Sequence, residues 1–269
     1  MANIFISYGD NRYKESLNRI ARQAKSVGIF DKVIKYTPKD LPNFITSSPL
    51  FAFSRGGGYW CWKPYIIYYT LQNCEEGDVV YYVDAGCTLN KSSEEWSQFQ
   101  NYLKSYNSIF FQYREGIDYG KGFGGRDVAI KNWTKPEVIT YFQNFVDIDF
   151  LDYAKRLGGF MIFKKTSQLP LILDQWYKIT LFRPELVMDP LRMEHTQPEE
   201  TIPIHRHDQS ILTPLVYHYR NQDNALVLPE TAESRIGNPA VLATRWIQGK
   251  MTWRQKLKYR LWCLLHGER

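Results

Sequence analysis

The sequence predicts an α/β fold in which a sheet is flanked by helices and followed by a basic amphipathic helix. Three observations carry this reading. The first 36 residues read strand, helix, strand; elements of the two types then alternate up to residue 112; and apolar and cationic side chains interleave through the last 25 residues.

Residues 3–8 form an apolar run of strand length. Residues 13–27 place Leu17, Ile20, Ala21, Ala24 and Val27 at helical spacing, and Gly28 stops the helix. A second strand spans 32–36, completing the β-α-β unit that commonly opens a doubly wound sheet. After a loop rich in Pro, Ser and Gly, Pro64 suits the first turn of a helix reaching residue 73. Residues 78–84 read as the next strand, 94–105 as a helix and 108–112 as a strand. Residues 114–126 hold five glycines among charged residues and read as a mobile loop, either an active-site lid or an ordinary solvated loop. Beyond it the pattern predicts a helix over 135–145, a strand over 158–164, and helices over 168–181 and 208–219.

A chain of 269 residues with 44% hydrophobic content can bury a full core, which excludes a disordered or fibrous protein. The aromatic content of 16% suits either a dense core or a site that stacks on bases and sugar rings. The net charge of +6 is local: residues 245–269 carry seven basic residues and one acid, while residues 1–244 balance at 27 of each. The division therefore falls between a domain over 1–244 and a basic, Trp-rich tail over 245–269. A nucleic-acid-binding face spread over the domain loses its support. The tail fits a helix lying on an anionic membrane surface, and equally one packing its Trp and Leu side chains on the domain. The four cysteines form no C-x-x-C pair, as expected of reduced thiols in the cytoplasm. With no signal-peptide pattern and no apolar run of about 18 residues, the chain reads as cytoplasmic, peripheral to the inner membrane if the tail binds lipid.

Three clusters could carry chemistry. Asp84-Ala85-Gly86 closes the run of residues 79–83, where the carboxyl ends of strands hold ligands in open α/β sheets. A carboxylate there can hold a divalent cation and Gly86 permits close backbone approach, although an Asp-Gly turn at a strand end needs no ligand. Residues 55–64 combine Arg55, three glycines, Tyr59, Trp60, Trp62 and Lys63, offering stacking surfaces and phosphate-pairing cations; a loop anchored by its Trp rings is the alternative. His205-Arg206-His207-Asp208-Gln209-Ser210 gathers metal-ligating, cationic and carboxylate groups at a helix start, or simply caps that helix. The sequence contains no H-E-x-x-H, Walker loop, G-x-S-x-G, or G-x-G-x-x-G after a strand, which removes support from the corresponding protease, NTPase, hydrolase and dinucleotide-enzyme classes.

In this order the pieces resemble a GT-A glycosyltransferase, over roughly residues 1–230. Asp84-Ala85-Gly86 is similar to the D-x-D signature with its second acid missing, and Gly158-Gly159 to the small-residue turn lining the sugar site. Asp208-Gln209-Ser210 resembles motifs of the retaining galactosyltransferase, glycogenin and blood-group transferases. Residues 58–64 with 84–87 resemble bacterial polysaccharide and lipopolysaccharide transferases. The resemblance implies a GT-A, Rossmann-like mixed sheet that moves a sugar from a nucleotide-sugar donor, UDP-sugar favoured, to a glycan or lipid-linked acceptor. It implies Asp208 and Gln209 as catalytic residues, with Asp127 or Glu115 behind Asp208 as bases if the reaction inverts. Donor binding would fall to Asp84, Ala85, Gly86, Arg55, Tyr59, Trp60, Lys63, Gly158 and Gly159, and acceptor binding to Trp133 and Lys135. Asp84, His205 and His207 could ligate Mn2+ or Mg2+; with Gly86 in place of an acid, Arg55, Lys63 and Arg206 could instead neutralise the leaving phosphate without metal. The competing readings are a sugar-phosphate nucleotidyltransferase and a non-enzymatic carbohydrate- or RNA-binding protein.

Overall fold

A computed structural model describes residues 1–120, 123, 125–189 and 204–246. Its strands are β1 (Asn3–Tyr8), β2 (Lys32–Tyr36), β3 (Val79–Val83), β4 (Thr88–Leu89), β5 (Ser108–Gln112), β6 (Phe160–Lys164), β7 (Ala225–Pro229) and β8 (Val241–Leu242). Six of them make one sheet in the order β2-β1-β3-β6-β5-β7, and β4 pairs with β8. β1 runs parallel to β2 and β3, β6 runs antiparallel to β3 and β5, and β7 is parallel to β5. The carboxyl ends of β1, β2, β3, β5 and β7 therefore share one sheet edge with the amino end of β6. This is the mixed, helix-flanked Rossmann-like sheet that the sequence predicts.

The elements form where their residue patterns place them. All five residues of β3 are buried, as a central strand covered on both faces requires. The helix Lys14–Val27 buries Leu17, Ile20, Ala21 and Ala24, and Gly28 ends it in the left-handed conformation at φ 83°. The helix Trp62–Gln72 has Pro64 in its first turn, as expected. It packs on Leu171–Phe182, which packs in turn on Asp208–Tyr219. Most of the aromatic content belongs to the core: Trp96 meets Phe30, Tyr81, Phe99 and Phe160 edge-on.

Three strands were not legible. β4 and β8 are two residues each, too short for a period, and β7 is a half-exposed edge strand ending in Pro229. In the glycine-rich segment after β5, Tyr119 donates its hydroxyl to Glu230 at 2.6 Å and Phe123 is buried. At the C-terminal end, Trp246 donates its amide to the Gly86 carbonyl at 2.9 Å, and the expected tail helix of residues 245–269 lies outside the described residues from position 247 on.

Candidate active site

A cavity of about 450 Å³ opens at the shared sheet edge, within the size range of small-molecule sites. Tyr8, Gly9 and Asp10 line it beyond β1, residues 84–87 beyond β3, Gly159 before β6 and Tyr113 beyond β5. Arg55 and Trp60 enter from the aromatic loop, Lys63 from the first turn of the helix that follows it, and Arg206 to Gln209 from the segment opening the last long helix.

At its centre stands a buried charge network. The Lys63 ammonium, 2% exposed, donates to Asp208 Oδ2 at 2.5 Å and to the Gly158 carbonyl at 2.9 Å. It also lies 3.5 Å from Asp84 Oδ1, which accepts the Tyr82 hydroxyl. Burial works against the ammonium, but the Asp208 and Asp84 carboxylates outweigh it, and the Lys63 pKa stands above the ordinary range. Burial raises the Asp208 acid while Lys63 pulls it back. One cation thus fixes two carboxylates arriving from a strand end and a helix start. Beside them, Gln209 Oε1 is buried with no hydrogen-bond partner among the described residues. Gln209 lines the cavity, so its amide is available to a ligand hydroxyl.

The two small residues make this packing possible. A Cβ on Gly158 would stand 2.9 Å from Gln209 Cγ and 3.1 Å from Asp208 Oδ2, and one on Gly159 would stand 3.2 Å from Asp84 Oδ2. The glycines therefore admit the acid and amide side chains themselves. Gly158→Ala is expected to cost about 1–3 kcal/mol of stability. Melting curves of the variant would show this loss.

The aromatic loop is wound tightly: Gly56, Gly57, Gly58, Tyr59 and Trp60 all have positive φ. A side chain on Gly56 would collide with the Trp60 ring at 2.5 Å. Trp60 stacks on His207 with ring centroids 5.5 Å apart. Tyr59, predicted to touch the donor, is buried and donates to Asp189 at 2.8 Å, where Arg55 also pairs at 3.3 Å. Burial pushes the His207 pKa down to about 4 and the His205 pKa to about 2. In the unfolded chain both titrate near 6.5, so as pH falls below about 6.5 the unfolded state gains protons first and stability is lost. Melting curves should fall across about pH 6.5 to 4.5, by up to about 1.4 kcal/mol per pH unit per histidine. That slope should flatten in the His205→Gln/His207→Gln variant.

No family model matches the chain, and no curated protein matches it. Among solved structures it is similar to a glycosyltransferase involved in glycosylation of the major capsid of PBCV-1, at 8% identity over 97% of this chain and 100% of that one, with a TM-score of 0.47. It is also similar to mouse xyloside xylosyltransferase 1 in its apo form, at 11% identity over 83% of this chain and 84% of that one, with a TM-score of 0.41. Likeness at this level says nothing of chemistry, which has to come from the cavity.

The side chains present do not by themselves enclose a divalent cation. Mg2+ and Mn2+ need several oxygen ligands, of which substrate phosphates and water can supply most. Asp84 offers one carboxylate with an ammonium beside it, and Asp208 is tied to Lys63. At the second-acid position, the Gly86 carbonyl is taken up by Thr244 Oγ1 and the Trp246 amide, both at 2.9 Å. His207 Nδ1 meets the Val187 carbonyl at 2.8 Å, and His205 is buried without lining the cavity. Among the described residues no three His, Cys, Asp or Glu side chains group to hold a metal, so the expected set of Asp84, His205 and His207 is not assembled.

Other expectations need correction too. Trp133 is fully buried, its Nε1 donating to the Asp127 carbonyl, and Lys135 caps the carbonyls of Glu185 and Met188 at 2.5 and 2.8 Å. Neither lines the cavity. Asp127 and Glu115 are exposed and also stand outside it. The sequence reading missed Tyr8, Asp10, Lys155 and Glu233. Of these, only Tyr8 and Asp10 could have been found, from their place beyond the first strand.

Proposed function

We propose that this protein is a glycosyltransferase that moves a sugar from a nucleotide-sugar donor to a glycan or lipid-linked acceptor. The observation that carries the reading is the Asp84–Lys63–Asp208 network beside the unpartnered Gln209 amide, at the sheet edge where α/β folds bind ligands. Glycosyl transfer needs an oriented sugar, polar stabilisation of an oxocarbenium-like centre and a cationic surround for the leaving diphosphate. Asp84 and Asp208, held by Lys63, would orient the sugar, and Gln209 would stand beneath the anomeric carbon. Arg55 and Arg245 line the same cavity and would face the diphosphate without a metal.

A retaining, front-face course fits these residues best. An inverting reaction needs a free carboxylate base, but Asp208 is engaged by Lys63. The Glu233 carboxylate accepts the Tyr113 hydroxyl at 2.7 Å and pairs with Arg245 at 2.7 Å. In the front-face course the departing diphosphate takes the acceptor proton. Burial holds the Cys61 thiol up at about 12 and Cys87 higher still, so neither supplies a thiolate nucleophile.

Polysaccharide or lipopolysaccharide synthesis at a cytoplasmic membrane surface, with the basic tail as anchor, belongs to the same proposal on the strength of the tail's charge. Among the described residues no helix is long and apolar enough to cross a membrane. Because Arg245 lines the cavity, the anchor is tested by truncation after Trp246, which should reduce sedimentation with anionic liposomes. The transferase reading is tested by thermal-shift and calorimetric titration with UDP, GDP, CMP and dTDP sugars, with and without Mn2+. One nucleotide series, UDP by preference, should stabilise the protein equally in both conditions. A folded protein that binds none of them would overturn the proposal.

A further inference from the structure

Lys155 is a buried cation at the cavity whose chemistry the proposed transfer does not use. It is 2% exposed, yet it lines the cavity. Its Nζ stands 3.9 Å from the ring centroid of Tyr113, 4.2 Å from that of Phe123 and 4.3 Å from that of Trp133. Three ring faces surround the ammonium, and among the described residues no carboxylate or carbonyl hydrogen-bonds to it. Arg206 lies over the same Trp133 ring at 4.7 Å. The nearby acids are engaged elsewhere. Glu230 holds the Tyr119 hydroxyl and the Glu233 and Ser234 amides, and Glu233 holds Tyr113 and Arg245.

Such a cage stabilises a cation but leaves its hydrogen-bonding capacity unspent. Its location separates it from the sugar-orienting carboxylate Asp84. Tyr113 follows β5, two strands across the sheet from the strand ending at Asp84. At the usual strand spacing that is roughly 10 Å, the far side of a sugar ring seated at Asp84.

We propose that Lys155, with Arg206 beside it, receives an anionic group on the acceptor, a carboxylate or a phosphate, so that the acceptor is an acidic glycan. This rests on the transferase reading for the word acceptor; the anion site itself does not. The environment also predicts a pH dependence. Burial, with Arg206 and Arg245 adding to it and Glu233 and Glu230 opposing, brings the Lys155 pKa down to about 7. Anion binding needs the ammonium, so affinity should fall about tenfold per pH unit above that midpoint.

The test is NMR of the full chain with 13Cε-lysine, the Lys155 signal assigned from NOEs to the Tyr113, Phe123 and Trp133 rings and checked in Lys155→Met, during titration with methyl glucuronide, methyl phosphate, neutral methyl glucoside and UDP. One or both anionic probes should raise the apparent pKa of Lys155 by about one unit, a tenfold preference for the charged form; which probe does so identifies the group. Lys155→Met should lose the probe affinity at least tenfold while keeping UDP affinity. No response to either anion, or an equal response to methyl glucoside or to UDP, would overturn the proposal, and the wild-type titration decides this even if Lys155→Met does not fold. Absence of UDP binding alongside an intact anion response would sink the transferase reading instead.

Discussion

Lys63→Met is expected to abolish transfer and to lower the melting temperature by roughly 6–20 °C, the consequence of losing about 3–5 kcal/mol when one partner of a buried ion pair is removed. The side chain is 2% exposed and contacts Asp208, Asp84 and the Gly158 carbonyl, so methionine fills the space but leaves two acids facing each other. Without the ammonium, burial raises the Asp208 pKa further above its unfolded value. The folded variant then holds a proton that the unfolded chain releases, so its stability deficit should grow as pH rises through the carboxylate range and shrink as pH falls. The double variant Lys63→Met/Asp208→Asn should recover much of the melting temperature and none of the activity. Equal deficits at acid and neutral pH, or no rescue in the double variant, would show that the pair contributes little.

Gln209→Ala should reduce transfer by about 100- to 1000-fold, the usual scale for one preorganised polar group aimed at a developing charge. Nucleotide affinity should stay nearly constant, because in the proposed site the amide faces the sugar and not the nucleotide. Titration calorimetry of the nucleotide and single-turnover measurement of transfer separate the two effects. A loss of affinity equal to the loss of rate would place Gln209 in donor binding alone.

The fold and the centre of the candidate site were legible for the same reason: both are written in local signals. Asp84 ends an apolar strand, Gly158 and Gly159 precede another, and Asp208 with Gln209 opens a helix, so periodicity and turn residues locate each one. What folding adds is their convergence on Lys63, whose place in a glycine-rich loop suggested a phosphate ligand but whose contacts make it an organiser of acids. The rim was not legible. Lys155 lies between strands in an irregular segment, and its three rings come from positions 113, 123 and 133, a grouping that local pattern does not encode. Residue type also misled in places. Trp133 and Lys135 beside a glycine-rich loop suggested an acceptor surface, whereas the ring packs into the core and the ammonium caps carbonyls at the end of a short helix. Arg245 was counted with the tail but pairs with Glu233 at the cavity.

The central claim is that Lys63 and Gln209 build a sugar-transfer site, and slow hydrolysis of the donor tests it most directly. Release of nucleoside diphosphate from a panel of nucleotide sugars should be measured for the wild type, Lys63→Met and Gln209→Ala, each shown to be folded at the assay temperature. The wild type should release one nucleoside diphosphate without added metal, and both variants should fall at least about 100-fold below it. Release unchanged in Gln209→Ala, or a folded wild type that binds a nucleotide sugar and never cleaves it even with acceptor glycans present, would contradict the account.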